Sequence, residues 1–159
     1  MIRVGILTVS DLGSRGERED TAGRALQERV EEMGWAVDCY EIVPDEAGVI
    51  SDRLCEWADD AGLELILTTG GTGFADRDVT PEATLEVIDK QAPGIPEAMR
   101  AVGLKKTPMA ILSRGVAGIR GRTLILNLPG SMKGAVESLE AIRDALPHAV
   151  DVIQGRPGH

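Results

Sequence analysis

The sequence predicts an α/β fold in which a mostly parallel sheet lies between two layers of helices. Apolar, β-branched segments alternate with amphipathic segments along all 159 residues, and this alternation is typical of a parallel sheet with helical crossovers. The segment Leu63–Thr69 is apolar on both faces, as expected for a strand at the buried centre of such a sheet. The connections are short, without a linker or repeat, so we expect one domain spanning residues 1–159.

The first third of the chain predicts two strands, a helix and a loop. Ile2–Val9 is a β-branched strand ended by Ser10-Asp11, and Ala36–Val43 is a second strand. The glycine-rich, charged stretch from Leu12 to Asp20 predicts a mobile loop. Asp20 or Thr21 can cap the helix that follows it. The apolar face of that helix consists of Ala22, Leu26, Val30 and Met33.

The middle of the chain predicts two helices around the central strand. The first follows Pro44-Asp45 and runs from about 46 to 61. The strand Leu63–Thr69 continues directly into Gly70-Gly71-Thr72-Gly73. Thr80 is predicted to cap the next helix, because Pro81 suits the first helical position and an acidic residue follows it.

The last third predicts a short helix, two strands and a long helix. The helix covers about 95 to 104, and the strands are Met109–Ser113 and Thr123–Leu128. Three glycines lie between those strands, so we expect an irregular excursion in which one strand is antiparallel. A final helix follows Pro129-Gly130-Ser131, and Pro147 should kink it.

Composition and charge exclude several classes of protein. Aromatic residues make up only 3% of the chain, so the core must consist of aliphatic side chains. The net charge of −9 argues against a nucleic-acid partner and against a polybasic membrane patch. No signal pattern and no apolar run of about 20 residues are present, so we expect a cytosolic protein without a membrane segment. Cys39 and Cys55 have no metal-type spacing, and His148 and His159 complete no nucleophilic constellation.

The positive charges are concentrated in one segment. From Ala98 to Val136 the chain has seven basic residues and no Asp or Glu. This segment is either a subunit contact, with the charge pattern arising by chance, or an anion-binding wall.

The predicted ends of four strands carry polar or glycine-rich residues. They are Ser10-Asp11, Pro44-Asp45, residues 70–73 and the run Asn127-Leu128-Pro129-Gly130-Ser131. Ligands of open α/β sheets bind outside the carboxyl ends of the strands, so all four ends are predicted to line one rim. The Gly70-Gly71-Thr72-Gly73 turn can cradle phosphate through its N–H groups. It lacks the P-loop pattern, and an ordinary tight turn is the alternative.

Two carboxylates suggest a magnesium site beside this turn. Asp45 and Asp78 follow neighbouring strands, and Mg²⁺ is commonly held by one or two carboxylates together with substrate phosphates. Helix capping or a turn role is the alternative for each of them. Lys133, in the first turn of the last helix, either binds an anion or is a solvated surface lysine. Ser10 and Asp11 either bind a ring amide of a ligand or cap the loop that follows them.

Several motifs together resemble one known family. They are GILTVSD at 5–11, VPDE at 43–46, LILTTGGTGF at 65–74, RDVTPEAT at 77–84, LSR at 112–114, GIRG at 118–121 and LNLPGS at 126–131. This set, in this order and over nearly the whole chain, is similar to the molybdenum-cofactor biosynthesis family, which includes bacterial MogA and MoaB and the G domain of gephyrin.

The resemblance implies a three-layer α/β/α homotrimer that binds molybdopterin and Mg-ATP, produces adenylylated molybdopterin and pyrophosphate, and passes its product to a molybdate-insertion protein. It places the two acidic positions associated with the family's chemistry on Asp45 and Asp78, which we expect to hold Mg²⁺. Residues 70–73 and Pro129-Gly130-Ser131 match nucleotide- and pterin-binding segments. Further substrate-binding positions are Ser10, Asp11, Thr80, Ser113, Arg114, Asn127 and Lys133.

Three other functions fit the same family. The chain could be an inactive molybdopterin carrier, an interaction scaffold, or a protein with the related molybdate-insertion activity. Intact Asp45, Asp78 and the glycine turn favour the enzyme over the carrier. The absence of a linker or second domain argues against the other two.

Overall fold

The computed structural model of the protein describes residues 1–157, which form six strands and seven α-helices. The strands are β1 (Arg3–Val9), β2 (Ala36–Val43), β3 (Leu65–Thr69), β4 (Lys90–Gln91), β5 (Ala117–Arg120) and β6 (Thr123–Leu128). The helices are α1 (Asp11–Ser14), α2 (Thr21–Glu32), α3 (Ala47–Cys55), α4 (Thr80–Val87), α5 (Gly94–Leu104), α6 (Met132–Ile142) and α7 (Leu146–Gln154). His159 lies outside the described residues.

The strands form one mixed sheet in the order β2-β1-β3-β6-β5-β4. The pairs β1–β2, β1–β3 and β3–β6 are parallel, whereas β5 is antiparallel to both β6 and β4. The carboxyl ends of four parallel strands therefore meet at one edge of the sheet. This arrangement confirms the predicted mostly parallel sheet and its antiparallel strand.

Helices cover both faces of the sheet and bury two aliphatic clusters. On one face α2, α5, α6 and α7 pack against alternate residues of β1, β3 and β6, with Leu26 and Leu139 fully buried. On the other face α3 and α4 pack against the remaining residues of the same strands, with Ile50 and Leu54 fully buried. Every residue of β3 is buried, as predicted for a central strand. The result is the expected three-layer α/β/α architecture.

Several predicted helix boundaries are confirmed. The carboxylate of Asp20 caps α2 by accepting a hydrogen bond from Gly23 N–H at 2.9 Å. The helix predicted over 46–61 consists of α3 and a π-helical turn, Glu56–Asp60. The last predicted helix is interrupted between α6 and α7, just before Pro147.

Two predictions are wrong. Met109–Ser113 is not a strand, since Pro108–Leu112 forms a 3₁₀ helix whose first turn is capped by the Thr107 hydroxyl. The strand in this region is β5, at 117–120. The stretch from 12 to 20 is also not entirely a loop, because α1 occupies its start. The Ser10 hydroxyl accepts a hydrogen bond from Gly13 N–H at 3.0 Å and nucleates that turn.

Within residues 1–157, no helix combines the length and the apolar composition needed to cross a membrane.

Candidate functional site

The four predicted strand ends lie together at the carboxyl edge of the sheet. They surround a polar cavity of about 450 Å³ beside the end of β1. Its lining includes Ser10, Asp45, Asp78, Gly70, Gly71, Gly130 and Ser131. The structure therefore brings together the residues predicted for a magnesium site and for phosphate binding.

Glycine is required in the turn that follows β3. Gly70 and Gly71 have φ angles of 100° and 69°, which other residues rarely adopt. A Cβ on Gly70 would lie 2.3 Å from the Val9 carbonyl oxygen. A Cβ on Gly130 would lie 3.3 Å from the Cα of Gly70, so the two glycine-containing turns pack backbone against backbone. A ligand at Gly70 or Gly130 therefore meets main chain, because neither residue has a side chain.

Two buried threonines fix these turns. The Thr69 hydroxyl donates a hydrogen bond to the Pro129 carbonyl oxygen at 2.6 Å, which ties the end of β3 to the start of α6. The Thr80 hydroxyl donates to the Gly70 carbonyl oxygen at 3.0 Å, and its N–H donates to Gly71. Thr80 is therefore not the predicted N-cap of α4: Val79 occupies that position, and Thr80 lies fully buried inside the helix.

Asp45 is half-buried and held by main chain. Its Oδ2 accepts a hydrogen bond from Asp11 N–H at 2.8 Å, and its own N–H donates to Asp11 Oδ1 at 3.0 Å. Its carboxylate does not cap α3, whose N-cap residue is Glu46 and which has no side-chain cap. Burial raises the pKa of Asp45, and the charges of Asp11 and Asp78 raise it further.

Asp78 approaches the same cavity from the loop before α4. Its Oδ2 accepts a hydrogen bond from Ala75 N–H at 3.0 Å and lies 2.8 Å from the place that a Cβ on Gly73 would occupy. The predicted turn role is thus present, and the side chain still lines the cavity with Asp45. The two carboxylates are close enough for the charge of Asp78 to influence Asp45.

Asp11 does not line the cavity and instead forms an ion pair. Arg77 donates from Nε to Asp11 Oδ2 at 2.9 Å and from Nη2 to Asp11 Oδ1 at 2.8 Å. The hydrogen bond from Arg77 lowers the pKa of Asp11. Arg77 was not among the predicted site residues, although it lies inside the RDVTPEAT motif, directly before Asp78. That adjacency was the signal available in the sequence.

Arg114 holds the loop that carries Asp78. Its guanidinium donates to the carbonyl oxygens of Gly73 and Asp78, each at 2.7 Å, and to the Glu82 carboxylate. Two more arginines of the basic segment contact protein groups, since Arg120 pairs with Asp59 and Arg100 donates to main-chain carbonyls. These arginines already bind protein groups, and the anion-binding wall that was one interpretation of the segment stays a prediction.

Asn127 is buried, and its amide makes three hydrogen bonds to protein groups. Its Nδ2 donates to the hydroxyls of Thr68 and Thr84, both at 3.0 Å, and its Oδ1 accepts from Val116 N–H at 3.2 Å. The side chain thereby joins β6 to β3, α4 and the turn before β5.

A second, more apolar cavity of about 550 Å³ adjoins the first. Its side chains include Met99, Arg100, Met109, Leu112, Ser113 and Asn127. Gly71, Asp78, Gly130 and Ser131 line both cavities. Ser131 also caps α6 by accepting from Gly134 N–H at 3.0 Å, whereas Lys133 is exposed and lines neither cavity.

A cluster at the base of loop 12–20 was missed by the sequence analysis. The Asp20 carboxylate accepts hydrogen bonds from the hydroxyls of Thr8 and Tyr40, in addition to its capping bond. Desolvation and Asp20 raise the pKa of Tyr40. Thr8 and Asp20 line the polar cavity. Only the capping role of Asp20 has a recognisable pattern in the sequence. Thr8 and Tyr40 lie on the paired strands β1 and β2, and only the folded sheet brings their hydroxyls to Asp20.

The donor set suits a cation that needs few protein ligands. Within the described part of the chain, no three side chains of the metal-binding types lie close enough to hold an ion. Asp45 and Asp78 are a pair of hard oxygen donors at one cavity, and Mg²⁺ usually takes one or two carboxylates plus phosphate oxygens and water. This pair therefore fits Mg²⁺ accompanied by a phosphorylated ligand.

Residues 5–148 match the family model described as a probable molybdopterin binding domain. The chain is 47% identical to a protein of Helicobacter pylori J99 named molybdopterin adenylyltransferase, over 97% of this chain and 89% of that protein. It is 39% identical to the Escherichia coli K12 protein of the same name, over 97% and 86%. The crystal structure of the molybdopterin biosynthesis enzyme MoaB from Thermus thermophilus is 62% identical, with a TM-score of 0.94 over 99% of both chains.

Proposed function

Because the chain belongs to the family of molybdopterin-binding domains, we propose that it is a molybdopterin adenylyltransferase of molybdenum-cofactor biosynthesis that uses ATP. One structural observation carries this proposal. Two adjoining cavities share Gly71, Asp78, Gly130 and Ser131, which is the arrangement a transfer between two bound substrates needs. The ring systems of pterin and adenine occupy the two cavities, and their phosphates meet at the shared residues.

The reaction is a displacement at phosphorus. An oxygen of the molybdopterin phosphate attacks the α-phosphorus of ATP, the bond from that phosphorus to the oxygen bridging to the β-phosphorus breaks, and pyrophosphate leaves. The nucleophile is already anionic, so no general base has to remove a proton. Main-chain N–H groups of residues 71–73 and of Gly130 and Ser131 hold the phosphates in line. Catalysis thus comes from alignment and charge neutralisation.

Asp45 and Asp78 would hold Mg²⁺ at the triphosphate. When bound, the ion supplies positive charge next to phosphate oxygens that the carboxylates would otherwise repel. The Asp11 N–H fixes one oxygen of Asp45, and the Ala75 N–H fixes one oxygen of Asp78. Among the predicted substrate positions, Ser10 lines the polar cavity, and Ser113 and Asn127 line the apolar cavity. Asp11, Thr80 and Arg114 act by holding the walls in place.

We also propose the homotrimer that the family resemblance implies, with the exposed apolar side chains of the 3₁₀ helix in the contact. Met109 is 64% exposed and Ile111 is 61% exposed, and Leu104 and Leu112 are exposed beside them. An exposed apolar cluster of this kind is typical of a protein–protein contact. Hand-off of the product to a molybdate-insertion protein stays a prediction.

Conservative variants of the two carboxylates test the proposal. Asp45→Asn and Asp78→Asn should each lower the adenylylation rate by about 10²-fold or more, because each removes a charge while keeping the side-chain shape. Asp76→Asn is the matched control, since Asp76 is exposed, follows the same turn and lines neither cavity. Normal turnover in Asp78→Asn would overturn the magnesium assignment. Tight pterin binding without adenylylation in the wild-type protein would favour the carrier function.

A further inference from the structure

Arg77 links the two carboxylates of the site without lining either cavity. Its guanidinium meets Asp11 in a two-point contact, with N–O distances of 2.8 and 2.9 Å. Asp11 in turn exchanges two hydrogen bonds with Asp45, each N–H donating to the other residue's carboxylate. Four hydrogen bonds therefore connect the Arg77 side chain to the main chain and carboxylate of Asp45.

The other end of this connection is Asp78. Arg77 is its immediate neighbour in the chain, so the ion pair ties the loop carrying Asp78 to the turn after β2 that carries Asp45. Asp45 and Asp11 carry neighbouring carboxylates, each bound to the other residue's N–H, and the Arg77 guanidinium offsets the repulsion between their charges. Without Arg77, the Asp11 carboxylate keeps its hydrogen bond with the Asp45 N–H but loses its ion pair, and the two halves of the carboxylate pair lose a common anchor.

We propose that Arg77 is a positioning residue, which acts through Asp11 to set the orientation of Asp45 relative to Asp78 and thereby the affinity of the pair for a divalent cation. The inference rests on the proposed function of that pair as the magnesium site. The Arg77 side chain is 60% exposed, and an exposed ion pair adds little to folding stability. Its loss should consequently affect metal binding much more than unfolding.

The test measures metal affinity directly, with Mn²⁺ as the probe. Free Mn²⁺ is quantified by electron paramagnetic resonance during titration of the wild type, Arg77→Gln, Arg77→Lys, Asp11→Asn and the double variant Arg77→Gln/Asp11→Asn. The Mg²⁺ concentration for half-maximal adenylylation and the rate at saturating Mg²⁺ are measured alongside, with thermal melts. Arg120→Gln is the matched control, because Arg120 forms the same two-point contact with Asp59 and lines neither cavity.

We expect Arg77→Gln to weaken Mn²⁺ binding and raise the half-maximal Mg²⁺ concentration about tenfold or more, as losing the support of a metal ligand commonly does. The rate at saturating Mg²⁺ should recover most of its wild-type value. Arg77→Lys should restore only part of the affinity, since an ammonium cannot make the two-point contact. The double variant should be no worse than Arg77→Gln alone, because the two residues act in series.

Two results would overturn the inference separately from the proposed function. If the wild type is active and binds Mn²⁺, and Arg77→Gln has an unchanged metal affinity, Arg77 is not a positioning residue. The magnesium site itself would then still be supported. Additive losses in the double variant would also contradict action through Asp11. A wild-type protein that bound no Mn²⁺ and showed no Mg²⁺ dependence would instead overturn the magnesium site, and this inference with it.

Discussion

Replacing Asn127 by leucine should destabilise the fold rather than simply weaken substrate binding. The substitution keeps the branched shape of the side chain, in slightly bulkier form, and removes three hydrogen bonds, those to Thr68, Thr84 and Val116. Each such bond contributes about 1 kcal/mol net, so Asn127→Leu should lower the free energy of unfolding by about 3 kcal/mol. For a chain of this length, that corresponds to a fall in Tm of roughly 6–12 °C.

Urea denaturation followed by circular dichroism measures this loss. Thr123→Val is the matched control, since Thr123 is also buried and its hydroxyl makes one hydrogen bond, to the Leu63 carbonyl oxygen at 2.6 Å. It should cost about 1 kcal/mol, a third of the loss at Asn127. An Asn127→Leu variant within about 1 kcal/mol of the wild type, but with much weaker pterin binding, would refute this reasoning and make the amide a direct substrate ligand.

Three further predictions concern the turn, the surface and the ion pairs. Gly70→Ala should unfold at a much lower temperature than the wild type, since its Cβ would lie 2.3 Å from the Val9 carbonyl oxygen. Gly34→Ala is the control in the same melting experiment, because Gly34 also has a positive φ but has open space around it. Equal losses of Tm in the two variants would contradict the clash. Met109→Lys combined with Ile111→Lys should produce monomers in sedimentation analysis with little change in Tm, and a persisting trimer would exclude this surface as the contact. Asp59 has its pKa lowered from 3.8 by Arg120, so the pair stabilises the fold above that pH and the contribution disappears as pH falls below it. Arg120→Gln should therefore flatten the acid limb of the stability profile, and an unchanged limb would contradict the assignment.

The architecture could be predicted because the four parallel strands and most helices have local signals in the sequence. The β3 sequence is apolar on both faces, and Asp20 precedes an amphipathic run, so their positions follow from periodicity and capping. The 3₁₀ helix at Pro108–Leu112 was mistaken for a strand because its residues are apolar. They are apolar and exposed, which sequence alone cannot distinguish from apolar and buried. Whether residues 1–159 form one domain stays a prediction.

The site could be predicted as a set of strand ends, because parallel strands place their carboxyl ends at one edge. The contact that each residue makes in the site could not be predicted. Thr80 resembled a helix cap, yet its hydroxyl holds the Gly70 carbonyl oxygen, a contact between residues ten positions apart. Asp11 was predicted either to bind substrate or to cap the loop, and its ion pair with Arg77, 66 residues away, was not predicted. Such long-range hydrogen bonds depend on the packed fold and leave no local pattern.

Transfer of an adenylyl group to molybdopterin can be measured directly. The purified protein is given molybdopterin and Mg-ATP labelled at the α-phosphate, and label and pyrophosphate are followed together. We expect label to appear on the pterin with one pyrophosphate released per transfer, and both signals to disappear in Asp45→Asn and Asp78→Asn. Release of labelled AMP or ADP without labelled pterin, or undiminished transfer in both variants, would show that the site does not perform this reaction.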